Sequence, residues 1–315
     1  MPCSILSLQL NFRKEMQSEV TLMKYFIVYA HPEPTSLSGH LKNRAVAALE
    51  QAGHEVIVSD LYAIGWKAVA DADDFPERRD TAPLKYGKAS QEAYRTGTQT
   101  ADIAEEQRKL LWADAVILQF PFWWYTMPAI LKGWVDRVYA YGFAYGIGVH
   151  GCGRWGDRFG EGTLQGRRAM VAITVGGRMA HYGPRGVNGT MDDLLWPIQH
   201  GILYYPGMDV VPPAVFYEVD RASAEAVESM AQAYIERLLN IASADPIPFR
   251  PQNGGDYDDI QVLKPHLDSG ATGHALHQSE PVFLSNTYLG TPGDYTPRHL
   301  PPTSRDKDVP QPSLV

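Results

Sequence analysis

The sequence predicts an α/β protein built on an open, doubly wound parallel sheet of five strands. Three observations carry this reading. Apolar, β-rich runs recur between residues 24 and 217. They are continuous instead of alternating, as strands covered on both faces are, and segments with helical spacing separate them. Each run ends in a polar or glycine-rich turn, the pattern of strand–helix repeats in one sheet.

Tyr25-Phe-Ile-Val-Tyr-Ala30 is the first strand. Leu37, Leu41, Ala45, Ala48 and Leu49 then share one helical face, with Ser36 or Ser38 available as N-cap and Gly53 as the stop. Glu55 to Ser59 makes a short second strand. Asp102 and Glu105 form a capping box for a helix reaching Trp112. Ala115 to Phe120 is the third strand, Ala129 to Tyr139 the next helix and Ala169 to Val175 the fourth strand. Val210 to Tyr217 is the fifth strand, and Ala222 to Leu239 is a closing helix. The helix from Ala129 carries Ile130, Leu131, Trp134, Val135, Val138 and Tyr139, a wider apolar face than one side of a sheet requires, which predicts a homodimer.

The flanks differ from this body. Residues 1–22 place Ile5, Leu6, Leu8 and Leu10 before Arg13 and Lys14, the wrong order for a secretory signal, and are expected to be a disordered leader ahead of Met23. Residues 23–245 form the strand–helix domain. Residues 246–315 hold eleven of the 23 prolines and no long periodic segment, so they are expected to form an extended arm that wraps or dimerises, its end disordered.

At 315 residues, with 44% hydrophobic and 20% charged, the chain can bury an ordinary core without staples. A net charge of −8 argues against a nucleic-acid binder. Cys3 and Cys152 are the only cysteines, which excludes a disulfide framework and a four-cysteine zinc site. The longest apolar runs fall far short of the ~20 residues that span a bilayer, so no membrane span is expected and a reducing cytoplasm is the default.

Two glycine fingerprints, Gly146-Ile-Gly148-Val-His-Gly151 and Gly151-Cys-Gly153-Arg-Trp-Gly156, neither follow a strand nor open a helix, so they read as a glycine-rich loop and not a dinucleotide site. The strand ends are more informative, because ligands of such sheets sit at the carboxyl ends of strands. His31-Pro-Glu-Pro-Thr-Ser36-Leu-Ser38 is rich in hydroxyls and leads into a helix N-terminus, a natural anion site whose plainer reading is helix capping. Gln119-Phe-Pro121-Phe122-Trp123-Trp124-Tyr125 puts four consecutive aromatics in a turn, as a flat aromatic ligand would require. Thr174-Val175-Gly176-Gly177 lets backbone N–H groups approach a ligand closely. A phosphate grip, an aromatic wall and a backbone cradle together fit a flavin.

These segments, with Ser59-Asp-Leu-Tyr-Ala63, Pro128-Ala-Ile-Leu-Lys-Gly-Trp134 and Leu195-Trp-Pro-Ile-Gln199, resemble the NAD(P)H:quinone oxidoreductases of the DT-diaphorase type over roughly residues 24–250. The resemblance implies a flavodoxin-like fold, a homodimer, bound FAD, and two-electron reduction of quinones by NADH or NADPH in ping-pong order. It implies that His31, Ser36, Leu37 and Ser38 hold the phosphate end of the flavin. Pro121, Phe122, Trp123, Trp124 and Tyr125 would flank its ring, and Thr174, Val175, Gly176 and Gly177 would line its pyrimidine edge. Tyr182 would be catalytic, donating where negative charge develops, with Asn188 beside it. Trp124, Tyr145, Gly146, Ile147 and Tyr205 would meet the substrate.

Departures from the pattern matter too. In one branch of that family a histidine stands where this chain has Asn188, which can hydrogen-bond but cannot take a proton near neutral pH. A sister branch, which uses dihydronicotinamide riboside and carries zinc, is similar at Asn188 and His200. Its further ligands would fall at Tyr204 and Phe249, which cannot serve, so no metal is expected. An arginine expected near the distal phosphates is replaced around Val227, which keeps FMN beside FAD. An FMN-dependent azo- or nitroreductase and a regulatory flavoprotein of a potassium efflux system are the alternative readings.

Overall fold

A computed structural model describes residues 21–79, 82–151, 153–267 and 272–280. The leader up to residue 20, Cys152 and the arm beyond residue 280 lie outside the described residues. The central sheet is parallel, and its strands are β1 (Lys24–Tyr29), β2 (Glu55–Asp60), β3 (Ala115–Pro121), β6 (Arg168–Thr174), β7 (Asp209–Val210) and β8 (Ala214–Phe216). Its order is β2-β1-β3-β6-β7, with β8 also on β6, which is the flavodoxin-like order. A separate ribbon of β4 (His150–Gly151) and β5 (Arg154–Trp155) occupies the glycine-rich loop.

Successive residues of β1 enter opposite cores, as the two-residue strand period dictates. Tyr25, Ile27 and Tyr29 meet Leu41, Ala45 and Leu49 of α1 (Leu37–Gln51) and Tyr234 and Leu238 of α6 (Ala224–Leu239). Phe26 and Val28 meet Ile103 and Leu110 of α3 (Ala101–Trp112) and Trp134 and Val138 of α4 (Ala129–Val138). Each fully buried leucine contributes roughly 1.5–3 kcal/mol of burial.

Ser36 is the N-cap of α1, its hydroxyl accepting from the Gly39 amide at 3.1 Å. The predicted capping box at Asp102 does not form: Thr100 is the N-cap of α3, and the Asp102 carboxylate ion-pairs with Arg137 at 2.7 Å. Arg137, 1% exposed, also holds the fully buried Asp74 at 2.9 Å and thereby seats the long connection after β2. The apolar face of α4 is likewise explained within the chain. Leu131, Trp134, Val135 and Val138 are buried in the domain's own core, so this helix supplies no argument for a dimer.

The predicted fifth strand is broken into β7 and β8. Between them β6 advances from Ala169 to Ala172 while its partner advances from Val210 to Ala214, one residue more. Pro212 and Pro213 lie in that bulge because neither can donate to a ladder. Arg237 of α6 takes both their carbonyls.

Two helices escape the sequence reading. In α2 (Tyr86–Thr96) only Ser90 and Ala93 are buried, too little for a periodic signal, although Gly97 ends it in the left-handed region. The chain continues past α5 (Met191–Ile198, with Pro197 inside it) as a π-helical turn, Gln199–Tyr204. Residues 247–267 and 272–280 fold back on the domain: the Ile247 amide donates to Val210 O at 2.7 Å, and the Tyr204 hydroxyl donates to Phe249 O at 3.2 Å.

Replacing Arg137 with Met leaves Asp74 buried without its principal cation. We expect a loss of about 3–5 kcal/mol, as when one partner of a buried pair is removed. Urea unfolding measures it, and a loss under 1 kcal/mol would show that the other partners of this carboxylate, Lys67 at 3.0 Å and the Tyr86 hydroxyl at 2.8 Å, satisfy Asp74 without Arg137.

Candidate active site

Beyond β1 and β3 the chain turns to opposite faces of the sheet, which opens a crevice between their carboxyl ends. At the end of β1 the His31 Nδ1 lies 3.0 Å from the Glu33 amide and 3.1 Å from Glu33 O, which holds the ring against its own loop. The amides of Leu37 and Ser38 open a fifteen-residue helix and have no intrahelical acceptor. The Ser38 hydroxyl beside them is buried without a hydrogen-bond partner. A Cβ on Gly39 would lie 2.2 Å from Pro34 O, so only glycine allows the turn to close this tightly. Free amides, an unpaired hydroxyl and the positive end of a helix suit a phosphate group.

At the end of β3 the Phe122 amide donates to Thr174 O at 2.9 Å, which ties the aromatic segment to β6. Trp123 and Thr126 exchange both backbone bonds at 3.1 Å, with Trp124 and Tyr125 at φ 50° and 63° between them. Two successive positive φ values make this a type I′ pattern normally built from Asn or Gly. Each side chain held there costs on the order of 1–3 kcal/mol. The turn holds Trp123 6.1 Å from the His31 ring and leaves Trp124 92% exposed. The first two strand ends therefore meet through His31 and Trp123.

At the end of β6, Thr174 and Val175 are buried, and Gly177 lies under Tyr182: a Cβ there would come within 3.0 Å of the phenol hydroxyl. Tyr125 reaches across and donates to Asn188 Oδ1 at 2.9 Å, while the Asn188 amide N–H donates to His181 O at 3.0 Å. Burial, then the nearby Tyr125, push the Tyr182 hydroxyl above the ordinary phenol range, with Asn188 opposing, so it remains a donor at neutral pH. His31, the helix start, the aromatic turn, Thr174 to Gly177, Tyr182 and Asn188 thus form one connected group.

The residues expected to meet the substrate form a second group. The Tyr145 ring packs on Tyr141 at 5.1 Å, and Gly146 has φ 73° with the Tyr141 ring where its Cβ would be. Ile147 O accepts from the Asp157 amide, and the Phe159 amide donates to Tyr205 O, so one segment joins Ile147 to Tyr205. Among the described residues no hydrogen bond or ring contact joins this group to Trp124 or Tyr182.

The sequence reading named Gln119 only within a motif and gave it no role. The structure makes it the buried brace of the crevice: its amide donates to Ser38 O at 2.7 Å, and the Tyr234 hydroxyl donates to its Oε1 at 3.1 Å. A lone polar residue in an otherwise apolar strand was the available signal.

His200 lies in an aromatic stack. Its ring lies 4.3 Å from Trp196 and 4.6 Å from Phe159, and Trp196 stacks in turn on His274 of the returning arm at 4.6 Å. Burial, then His277 and His274, push the His200 imidazole down to about 3, so it is neutral.

A strand order of this kind, with its ligand crevice between β1 and β3, defines a flavodoxin-like protein. Residues 23–238 match the family of flavodoxin-like fold, and the chain belongs to it, within its NAD(P)H:quinone oxidoreductase type. It is 50% identical to a ribosyldihydronicotinamide dehydrogenase-like protein of Penicillium crustosum over 81% of this chain and 95% of that one. It is 41% identical to the human ribosyldihydronicotinamide dehydrogenase [quinone] over 71% of this chain and 94% of that one. A solved structure from Klebsiella pneumoniae, described as a candidate quinone reductase, superposes with a TM-score of 0.80 at 54% identity, covering 81% of this chain and 99% of the other.

A pH dependence follows from His200. Its folded value, about 3, lies below the ~6.5 of free imidazole. Between those values the unfolded chain takes a proton that the folded chain refuses. Stability is therefore fully present above pH ~6.5 and falls as the pH drops through that window, by up to ~1.4 kcal/mol per pH unit. Urea unfolding at pH 7 and pH 5 should show His200→Phe with a shallower loss than the parent. Equal slopes would remove His200 as the source.

Proposed function

We propose that the crevice binds FAD and that the chain uses it to reduce quinones by two electrons at the expense of NADH or NADPH, in ping-pong order. The observation that carries this is the meeting of three strand ends in one place: bare amides and an unpaired hydroxyl at β1, a rigid aromatic turn at β3, and a glycine cradle backed by a phenol donor at β6. His31, Ser36, Leu37 and Ser38 would hold the phosphate end. Phe122 to Tyr125 would flank the ring, and Thr174 to Gly177 would follow its edge. When bound, the flavin supplies a two-electron store that a nicotinamide fills and a quinone empties. The Tyr182 hydroxyl donates to the edge where negative charge develops, and Asn188 orients it. Trp124, Tyr145, Gly146, Ile147 and Tyr205 would take the quinone.

We further propose a cytoplasmic homodimer. Trp124 at 92% and Val187 at 89% exposure stand in solvent beside the crevice, as apolar side chains completed by a second copy would. No helix among the described residues is long and apolar enough to cross a membrane.

The purified protein is expected to be yellow, and extraction of its pigment identifies FAD or FMN. A colourless protein that takes up neither would overturn the proposal. Stopped-flow reduction with NADH, NADPH and dihydronicotinamide riboside, the donor in its relatives' names, then fixes the donor.

Tyr182→Phe is expected to slow flavin reduction by about tenfold to a hundredfold, or about 1.4–2.7 kcal/mol, with flavin still bound. A parental rate would dismiss Tyr182 as catalytic. Asn188→His is expected to introduce an inflection near the ~6.5 of free imidazole, absent from the parent.

A further inference from the structure

One cation stands among the rings of the substrate group with no opposite charge against it. The Arg158 guanidinium lies over the Phe159 and Tyr205 rings, 6.0 Å from each centroid. Its Nε donates to the side-chain oxygen of Gln252, a neutral partner, and this is its one hydrogen bond among the described residues. Both Nη groups are left without an acceptor there, and together they present the end of a planar fork shaped for two oxygens of one anion. The carboxylates of the same segment are already taken. Arg154 pairs with Asp157 at 2.9 Å and with Glu161 at 2.7 Å, and Asn253 adds a donor to Glu161 at 2.7 Å. The structural arginines of this chain look different: Arg167 gives Nη2 to Leu111 O at 2.7 Å, and Arg137 spends its Nη groups on Asp74 and Asp102.

We propose that Arg158 is a specificity-determining residue that takes a phosphate of the dihydronicotinamide donor, so that the chain favours NADH or NADPH over dihydronicotinamide riboside. The inference rests on the proposed function, which places Ile147 and Tyr205 at the substrate. The donor is the reactant that carries the matching anion: NADH and NADPH share a diphosphate, NADPH adds a 2′-phosphate, and the riboside has neither. A simple quinone is uncharged. The cation is also prepared in advance. Phe159 stacks on His200 at 4.6 Å and meets the Tyr205 ring edge-on at 4.8 Å, so the two rings beneath the guanidinium are fixed against each other. The Phe159 amide donates to Tyr205 O at 2.9 Å, and the Gln252 amide donates to Phe159 O at 3.1 Å. Gln252 is buried, and its side-chain nitrogen donates to Gly156 O at 3.3 Å, so the residue that orients Arg158 is anchored at both ends. A guanidinium held before the ligand arrives loses little freedom on binding.

Stopped-flow flavin reduction by NADPH, NADH and dihydronicotinamide riboside is compared in the parent, Arg158→Gln and Arg158→Lys. Losing a charge-assisted bond to phosphate is expected to raise the apparent Kd of a phosphorylated donor about tenfold in Arg158→Gln, with the limiting rate within about twofold. Arg158→Lys keeps the charge without the fork and should fall between the other two. The Kd of the riboside should stay within about twofold throughout, because it offers nothing for the fork to hold. A loss with NADH and NADPH alike puts the guanidinium on the diphosphate, and a loss with NADPH alone puts it on the 2′-phosphate; either supports the proposal. Added salt should weaken NADPH more in the parent than in Arg158→Gln. Unchanged Kd values for both phosphorylated donors, an equal rise for the riboside, equal salt effects, or a loss confined to a sulfonated naphthoquinone as acceptor would each overturn it. Calorimetric titration with NADP⁺ and NAD⁺ reads the same contact without turnover. The tighter of the two should bind Arg158→Gln about tenfold more weakly than the parent, and equal binding, or a parent that binds neither, overturns the proposal. A parent that takes up no flavin, or whose flavin none of the three donors reduces, instead defeats the proposed function, and the titration then decides Arg158 by itself.

Discussion

One buried side-chain amide holds the crevice in shape. Gln119 sits on the central strand where the sheet order reverses, and its two polar ends are used by two different helices, α1 through Ser38 O and α6 through Tyr234. A strand residue that satisfies both fixes the height of the α1 start against β3, and therefore where its free amides lie relative to the aromatic turn. An apolar residue there would pack as well against the sheet but would leave the Ser38 carbonyl and the Tyr234 hydroxyl to find other partners at a cost of about 1–3 kcal/mol each. The brace is worth more as geometry than as energy.

Around that brace the chain divides its work between stability and strain. The two cores are closed by ordinary means, with alternating strand residues, a capped helix and a buried ion pair at Asp74 and Arg137. The unfavourable backbone is concentrated at Trp124 and Tyr125, in the turn that faces the crevice. Rigidity there is useful because a turn closed at both ends presents its rings and its one hydroxyl at fixed positions before anything binds.

Much of this was legible in the sequence because it rests on local pattern. The strand runs, the Ser36 cap and the stop at Gly53 follow from periodicity and turn chemistry alone, and the three strand ends follow from where such runs stop. What escaped rests on partners distant in the chain. Asp102 looked like a cap because its true partner, Arg137, lies 35 residues away on another helix (137 − 102), and the wide face of α4 looked unpartnered for the same reason. The bulge at Pro212 and Pro213 was visible as two residues that cannot donate, but its register change appears only against β6. Resemblance supplied Tyr182 and Asn188; the hydrogen bond that links Asn188 to Tyr125 is tertiary and had no local signature.

The broken fifth strand has a consequence for how copies of the molecule meet. A parallel sheet ends in rows of unpaired backbone groups that can template the strand of a neighbour. On the side of β7 and β8 the two successive prolines remove two donors, Arg237 takes their carbonyls, and the returning chain takes Val210 O through Ile247. That border is chemically blunt, and strand-to-strand accretion has little to grip there. The opposite border, β2, begins on the exposed Glu55, which resists an identical strand by like charge, and ends on Asp60, whose carboxylate is paired with Lys42 at 3.4 Å. The sheet is therefore guarded at each side by a different device, so crowding in a cell favours contacts through loops and helices over growth of the sheet itself.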